Sequence, residues 1–201
     1  MIRLFIARHG NTFDKGDTVL RVGARTDLPL SSSGREQAHR LGDYLATHYP
    51  QIDQVYTSRL RRTQETAQIT LSHLEIKPPQ VALAQFDEID YGPDEGRPES
   101  EVVARLGQEA LSAWDNSGVV PEGWQVSPLD LEKKWCEFAN QMTSAPDRNV
   151  FVVTSNGIAR YAQAILSKEQ QPASMKLSTG ALGCLLFDGQ SWTCEMWNHR
   201  P

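Results

Sequence analysis

Three consecutive residues near the N-terminus, Arg8-His9-Gly10, combine side chains suited to phosphate chemistry. A neutral imidazole nitrogen can attack phosphorus and form a covalent intermediate, which divides one difficult reaction into two easier steps. An arginine guanidinium presents a planar set of donors that matches phosphate oxygens, and glycine allows a ligand to approach the backbone closely. The motif therefore predicts a phosphate site. If the motif is considered alone, the alternative is a loop histidine that is only hydrogen-bonded near the end of a strand.

A second segment with phosphate-binding character runs from Thr57 to Ala67 and contains three arginines at a predicted strand-to-helix junction. The first turn of a helix offers free N–H groups and a partial positive charge, which favours an anion there. Arg62 and Thr66 are four residues apart, so they share one helix face. We expect Arg59 and Arg61 to lie on the solvated side of the same helix.

The elements that must position these residues alternate between short apolar runs and amphipathic helices, which predicts an α/β fold. We expect a three-layer α/β/α sandwich with a mostly parallel sheet and helices on both faces. In such folds, ligands bind beyond the carboxyl ends of the strands, where Arg8, Arg62 and the residues after Thr154 would meet. The predicted strands are Ile2–Ala7, Val55–Thr57, Val81–Phe86, Phe151–Thr154, and a hairpin of Leu182–Phe187 with Trp192–Trp197.

The helices and loops are predicted from apolar spacing and from breaker residues. Ser33 is a candidate N-cap for a helix that follows it, and residues 102–114 have the spacing of one amphipathic helix. The loop segments at 87–100 and 115–127 are rich in acidic residues, glycine and proline, and they are candidates for a modest lid. No linker is evident, so we expect one domain over residues 1–201.

Composition narrows the possible partners. The chain has 201 residues, 39% hydrophobic and 22% charged, with a net charge of −5, which argues against a general nucleic-acid binder. No apolar stretch reaches the length of a signal peptide core or a membrane helix. The three cysteines have no zinc-type spacing, so a cytoplasmic protein without a bound metal or membrane contact is expected. The sequence leaves the oligomeric state open.

Taken together, these segments resemble the histidine phosphatase superfamily, the phosphoglycerate mutase-like group. That family opens with Arg-His-Gly, continues with Ser-x-Leu-x-Arg-x-x-x-Thr-Ala, and then has a Glu in a loop that ends in Glu-Gly. The resemblance spans most of the chain. Besides Arg8-His9-Gly10, the residues that carry it are Ser58, Leu60, Arg62, Thr66 and Ala67, then Glu88, Gly92, Glu95 and Gly96, and before the first helix Gly23, Arg25, Asp27, Pro29, Leu30, Gly34, Gln37 and Ala38.

The resemblance implies a role for each matched site residue. His9 would be the nucleophile, while Arg8 and Arg62 would hold the phosphate and stabilise charge on its oxygens. Glu88 would donate a proton to the leaving oxygen and then act as base for water, which requires a carboxyl that is protonated part of the time. Asn11 and Arg25 are candidate substrate contacts. Neither a cofactor nor a metal is implied.

One element departs from the family pattern, in which the strand ending near residue 154 is followed by a second histidine and two glycines. Aligned on Val153, Gly157 and Arg160, this chain has Ser155 at the histidine position and Asn156 at the next glycine. Both can donate hydrogen bonds, but neither supplies a positive charge.

Three functions stay open at this point. The first is a phosphomonoester hydrolase that acts on a small phosphorylated substrate, with reduced activity because of Ser155. The second is a phosphoglycerate-type mutase, which must keep water away from the phosphohistidine and usually needs a longer closing insertion. The third is a protein that binds a phosphorylated ligand or inorganic phosphate and has weak or vestigial activity.

Overall fold

A central sheet dominates the computed structural model, which describes residues 1–144 and 148–201. Within these residues the strand order is β3-β2-β4-β1-β5-β6. β1 to β4 are parallel to one another, and β5 is antiparallel to β1 and to β6. The strands are β1 (Ile2–Arg8), β2 (Gln54–Thr57), β3 (Gln80–Ala82), β4 (Arg148–Thr154), β5 (Leu182–Phe187) and β6 (Trp192–His199).

Side chains alternate between the two faces of the sheet, as the pleat of a strand requires. In β1, Leu4 and Ile6 belong to one buried apolar cluster, whereas Phe5 and Ala7 belong to a second cluster on the opposite face. The sheet is therefore buried on both sides, which explains why β1 is a nearly continuous apolar run.

Helices cover both faces, and the predicted three-layer α/β/α fold is confirmed. Buried residues of α1 and α2 pack in the cluster with Phe5, and those of the later helices pack in the cluster with Leu4. The helices are α1 (Ser32–His48), α2 (Arg61–Leu71), α3 (Glu99–Leu106), α4 (Gln108–Ser117), α5 (Pro128–Thr143) and α6 (Asn156–Ala159), the last followed by a 3₁₀ helix (Arg160–Ile165).

Three local predictions were wrong. The single helix predicted over residues 102–114 is divided into α3 and α4 at Gly107, whose φ of 79° no helical residue adopts. The strand predicted over 81–86 ends at Ala82 and gives way to a 3₁₀ turn. The N-cap of α1 is Ser31 rather than Ser33. Asp14 accepts hydrogen bonds from the backbone N–H groups of residues 32 and 33, so α1 begins two residues earlier than predicted.

The parallel register brings the predicted site segments to one edge of the sheet. Arg8 pairs with Thr154, and Thr57 pairs with Val153, so His9, Ser58 and Ser155 follow the same ends of three adjacent strands. The two candidate lid segments contact each other, since the N–H of Gln125 donates to the carbonyl of Asp90 at 2.9 Å. Their lid role stays a prediction. No helix in the described ranges is long and apolar enough to cross a membrane.

Candidate active site

His9 directly follows β1 and is fixed by two backbone contacts. Its N–H donates to the carbonyl of Thr154 at 3.0 Å, which ties it to the end of β4. Its Nδ1 lies 2.7 Å from the carbonyl oxygen of Gly10. Because a carbonyl can only accept, Nδ1 carries the proton and Nε2 of the neutral ring keeps its lone pair. The ring is thereby held in the tautomer that a nucleophile needs.

The surroundings keep this imidazole neutral. The pKa of His9 lies well below its ordinary value of 6.5, first because the ring is buried and then because Arg62 and Arg8 place positive charge nearby. The carbonyl of Gly10 opposes this shift. The loop after β1 also contacts the first turns of α2, since the N–H of Gly10 donates to Oγ1 of Thr66 at 3.1 Å and that hydroxyl donates to the carbonyl of Arg62 at 2.7 Å.

Backbone carbonyls hold the two arginines, and each guanidinium keeps an N–H donor that has no partner among the described residues. Arg8 Nη1 donates to Leu177 O at 3.0 Å, while Arg62 donates through Nη1 to Thr26 O at 2.8 Å and through Nη2 to Gly23 O at 3.1 Å. The Nε atoms of both arginines are buried and find no acceptor among the described residues. Burial lowers the pKa of each arginine, and the negative charge of Glu88 opposes that effect.

Ser155 and Asn156 occupy the position where the family pattern has its second histidine. Ser155 is fully buried, and its hydroxyl has no hydrogen-bond partner among the described residues. The side-chain oxygen of Asn156 accepts from the N–H of Leu177 at 2.8 Å. That oxygen is therefore engaged in holding the segment that also positions Arg8, while the residue itself lines the cavity described below.

Glu88, the predicted acid, is buried, with 7% of its surface exposed. Its Oε1 accepts from the N–H of Ile89 at 2.9 Å and its Oε2 from the N–H of Gly157 at 3.3 Å. Burial raises the pKa of Glu88, and the two N–H donors together with Arg62 and Arg8 limit that rise. The carboxyl can therefore hold a proton more readily than a surface glutamate.

A cavity of about 550 Å³ opens beside these groups. Arg8, His9 and Glu88 lie on its wall at the strand ends, and the opposite wall is built by α3, α4 and the segment from residue 12 to 22. The volume is within the roughly 300–1,000 Å³ range of small-molecule sites.

Most of the residues predicted from sequence meet in this region. Asn11 lines the cavity, although its side chain is already bonded to Ser33 and Thr179. Arg25 is not among the described residues that line the cavity. Its guanidinium is exposed and donates to Asp90 and to the carbonyl of Gly92. The geometry thus gives no support for Arg25 as a substrate contact.

Several contributors were not predicted. Gly157, matched in the sequence but given no role, supplies an N–H to Glu88. Arg21, Asp115 and Lys176 line the cavity, and no motif marks them because their neighbours in the sequence carry no recognisable pattern. The basic residue of the 12–25 segment that reaches the cavity is therefore Arg21 and not Arg25.

Arg8, His9 and Glu88 line one cavity, so a guanidinium, a neutral imidazole and a protonatable carboxyl face the same space. Arg62 and Ser155 are fully buried and are not among the described residues that line this cavity. A phosphoryl group carries oxygens that would satisfy the free Nε and hydroxyl donors. A neutral imidazole can act as a nucleophile, and a protonated carboxyl can donate a proton. The site is therefore suited to phosphoryl transfer.

Comparisons with known proteins agree with this geometry. Residues 4–200 match the histidine phosphatase superfamily, branch 1. The chain is 33% identical over 200 residues to a Bacillus subtilis protein named uncharacterized phosphatase PhoE, covering 98% of this chain and 95% of that protein. It is 26% identical over 192 residues to phosphoglycerate mutase 1 of Saccharomyces cerevisiae, covering 95% of this chain and 75% of the mutase. The solved structure of a mycobacterial glucosyl-3-phosphoglycerate phosphatase superposes with a TM-score of 0.79 at 22% identity, covering 99% of both chains.

Proposed function

The chain belongs to the histidine phosphatase superfamily, branch 1, and from that premise we propose that it is a phosphatase that hydrolyses a phosphomonoester through a phosphohistidine at His9. The observation that carries the proposal is the neutral, tautomer-fixed imidazole of His9 beside Arg8 and Arg62. A neutral ring with a free Nε2 is the form that can attack phosphorus. The substrate is a small phosphorylated molecule.

In the first step, Nε2 of His9 attacks the phosphorus atom and the bond between phosphorus and the ester oxygen breaks. Glu88 transfers its proton to the departing oxygen, so an alcohol leaves instead of an alkoxide. Arg8 and Arg62 stabilise the negative charge that spreads over the phosphoryl oxygens in the transition state. No step assigned to these residues requires a metal ion or a cofactor.

In the second step, water attacks the phosphorus atom of the phosphohistidine. Glu88, now ionised, takes a proton from this water, and the P–N bond breaks. Inorganic phosphate leaves, His9 returns to its neutral form, and Glu88 is again protonated. The buried position of Glu88 against the N–H of Gly157 supports both roles, since it keeps the carboxyl near the same reacting centre.

Hydrolysis is favoured over mutase activity by the lengths of the relatives. The alignment covers 95% of the Bacillus phosphatase but 75% of the yeast mutase, so the mutase contains substantial sequence that this chain does not match. A mutase must exclude water while it holds its product, which calls for a longer covering segment.

We also place the protein in the cytoplasm, where reduced thiols persist. Cys136, Cys184 and Cys194 are all unpaired. This placement is part of the proposal, as is the expectation that nucleic acids and membranes are not partners.

The proposal is tested by incubating purified enzyme with ³²P-labelled acetyl phosphate or aryl phosphate, followed by a rapid quench in alkali, in which phosphohistidine is stable. We expect label on His9 and loss of both label and turnover in His9→Ala. The matched control is His48→Ala, because His48 is exposed at the end of α1 and does not line the cavity. Turnover that survives in His9→Ala would remove the proposed nucleophile. A protein that binds phosphate without label or turnover would support the binding function instead.

A further inference from the structure

In the part of the cavity outside the phosphoryl site, each positively charged side chain is paired with a negatively charged one. Its charged side chains there are Arg21 and Glu99, which form an ion pair, and Lys176 and Asp115, whose Nζ and Oδ2 atoms are 3.1 Å apart. All four residues line the cavity. The two cations are therefore matched by two anions, and among the described residues no unpaired positive charge in this outer part is left for a second anionic group of a substrate.

The arginine of the outer wall is engaged in further contacts. The guanidinium of Arg21 lies 5.2 Å from the ring centres of both Tyr91 and Trp124. Its backbone is tied to the 96–97 segment, since the N–H of Arg21 donates to Arg97 O and its carbonyl accepts from Gly96 N, each at 2.8 Å. Turning this cation towards a substrate carboxylate would break the pair with Glu99 and expose that acid to the same carboxylate.

The remaining wall is mixed, with Thr12, Gln108 and Thr179 beside apolar side chains, and none of these carries a charge. Val19 keeps half of its surface exposed, and Val103 on α3 and Leu111 on α4 face the same cavity. The further apolar residues of this wall are Phe13, Leu20 and Val22.

From the paired charges we infer that the substrate is a monoester whose organic part is uncharged, with the phosphate as its single anionic group. This inference rests on the proposed function. It disfavours substrates that carry a carboxylate or a second phosphate close to the ester. It also assigns Glu99 and Asp115 as specificity-determining residues, because they neutralise the cations that would otherwise attract such a group.

The test compares two substrates of the same shape, 4-(carbamoylmethyl)phenyl phosphate and 4-(carboxymethyl)phenyl phosphate. Their leaving phenols are nearly equal in acidity, so a difference in kcat/KM reports the charge of the remote group. We expect kcat/KM for the neutral amide to exceed that for the carboxylate about tenfold, because the carboxylate meets Glu99 and Asp115 in a partly desolvated cavity.

The variants Glu99→Gln and Asp115→Asn each release one cation, Arg21 or Lys176. We expect each to raise the carboxylate-to-amide ratio of kcat/KM about three- to tenfold. The matched control is Glu101→Gln, since Glu101 lies on the same helix as Glu99, pairs with the exposed Arg97 and does not line the cavity. It should leave the ratio unchanged.

The inference is overturned if wild-type enzyme hydrolyses the carboxylate as well as the amide, or if Glu101→Gln shifts the ratio as much as Glu99→Gln. In those cases phosphatase activity is still present and the proposed function stands. If neither substrate is hydrolysed and His9 takes up no label, the proposed function fails as well.

Discussion

A Cβ atom added to Gly157 would lie 2.2 Å from Oε1 of Glu88. The carboxyl therefore rests directly on the backbone at the start of α6, and the N–H of Gly157 donates to its other oxygen at 3.3 Å. The carboxyl of Glu88 can occupy this position only because residue 157 has no side chain. A side chain at position 157 would therefore collide with the carboxyl that we propose as the acid.

The variant Gly157→Ala should displace Glu88, because the contact is too close for either side to absorb without movement. We expect kcat for an alkyl phosphate to fall about 100-fold, the lower end of the usual contribution of a general acid. Binding of inorganic phosphate should change little, since His9, Arg8 and Arg62 are untouched. Steady-state kinetics and phosphate titration of the same folded sample check this, and a near-normal kcat would contradict it.

The pH dependence of kcat/KM should follow His9 and Glu88. His9 must be neutral, and its lowered pKa means that activity is lost on the acidic side only well below pH 6.5. Glu88 must be protonated to serve as acid, and its pKa is raised above 4.5, so activity falls as the pH rises through that raised value. Glu88→Gln should remove the alkaline limb and retain the acidic limb.

Ionisation of the substrate phosphate, near pH 6, affects wild type and Glu88→Gln equally, so the difference between the two profiles reports Glu88. The measurement is kcat/KM for an aryl phosphate from pH 4 to 9. An alkaline limb that persists unchanged in Glu88→Gln would contradict the assignment of the acid.

Sequence reasoning predicted the sheet and the site core because both depend on local patterns. Strand ends follow from apolar runs, and the parallel order brings the carboxyl ends together, so Arg8, His9 and Ser155 could be placed near one another before any coordinates. Arg62 was given its role by the resemblance to the family pattern, since the start of that helix offers three arginines. These residues are fixed by the elements that carry them.

The outer part of the site could not be predicted in the same way. Arg21 reaches the cavity because its backbone pairs with residues 96–97, far away in sequence, whereas Arg25 turns outward to Asp90. Arg21 and Arg25 lie four residues apart in an irregular segment, so neither helical nor strand periodicity predicts which of them faces the cavity. Lys176 and Asp115 meet across 61 residues, and no spacing rule marks such a pair.

Exhaustive removal of metal ions should leave turnover intact. In the proposed mechanism the positive charge at the phosphoryl group comes from Arg8 and Arg62, whose side chains are anchored by protein carbonyls. We expect kcat after dialysis against EDTA to stay within a factor of two of the untreated enzyme, and added Mg²⁺ to have no effect. The control is the same dialysis of Arg62→Ala, which should be inactive before and after. A rate that collapses with chelator and returns with one metal would contradict this mechanism.

The contribution of Ser155 to activity can be measured separately from its contribution to stability. Its hydroxyl is buried without a partner among the described residues, so removing it in Ser155→Ala should leave the melting temperature unchanged or slightly raised. If that hydroxyl donates to the phosphoryl group, kcat/KM should nonetheless fall about tenfold, the equivalent of roughly 1.4 kcal/mol. An unchanged kcat/KM in Ser155→Ala would show that the hydroxyl does not reach the phosphoryl group.

Ser155→His tests whether the site has the geometry of its family. A donor that can carry a positive charge binds an anionic oxygen more strongly than a hydroxyl, by an amount equivalent to about 10–100-fold in rate. We expect kcat/KM to be held or raised, provided that circular dichroism shows a folded protein. A large loss in folded Ser155→His, together with a loss in Ser155→Ala, would mean that Ser155 and Asn156 form a phosphate pocket of their own, into which an imidazole does not fit.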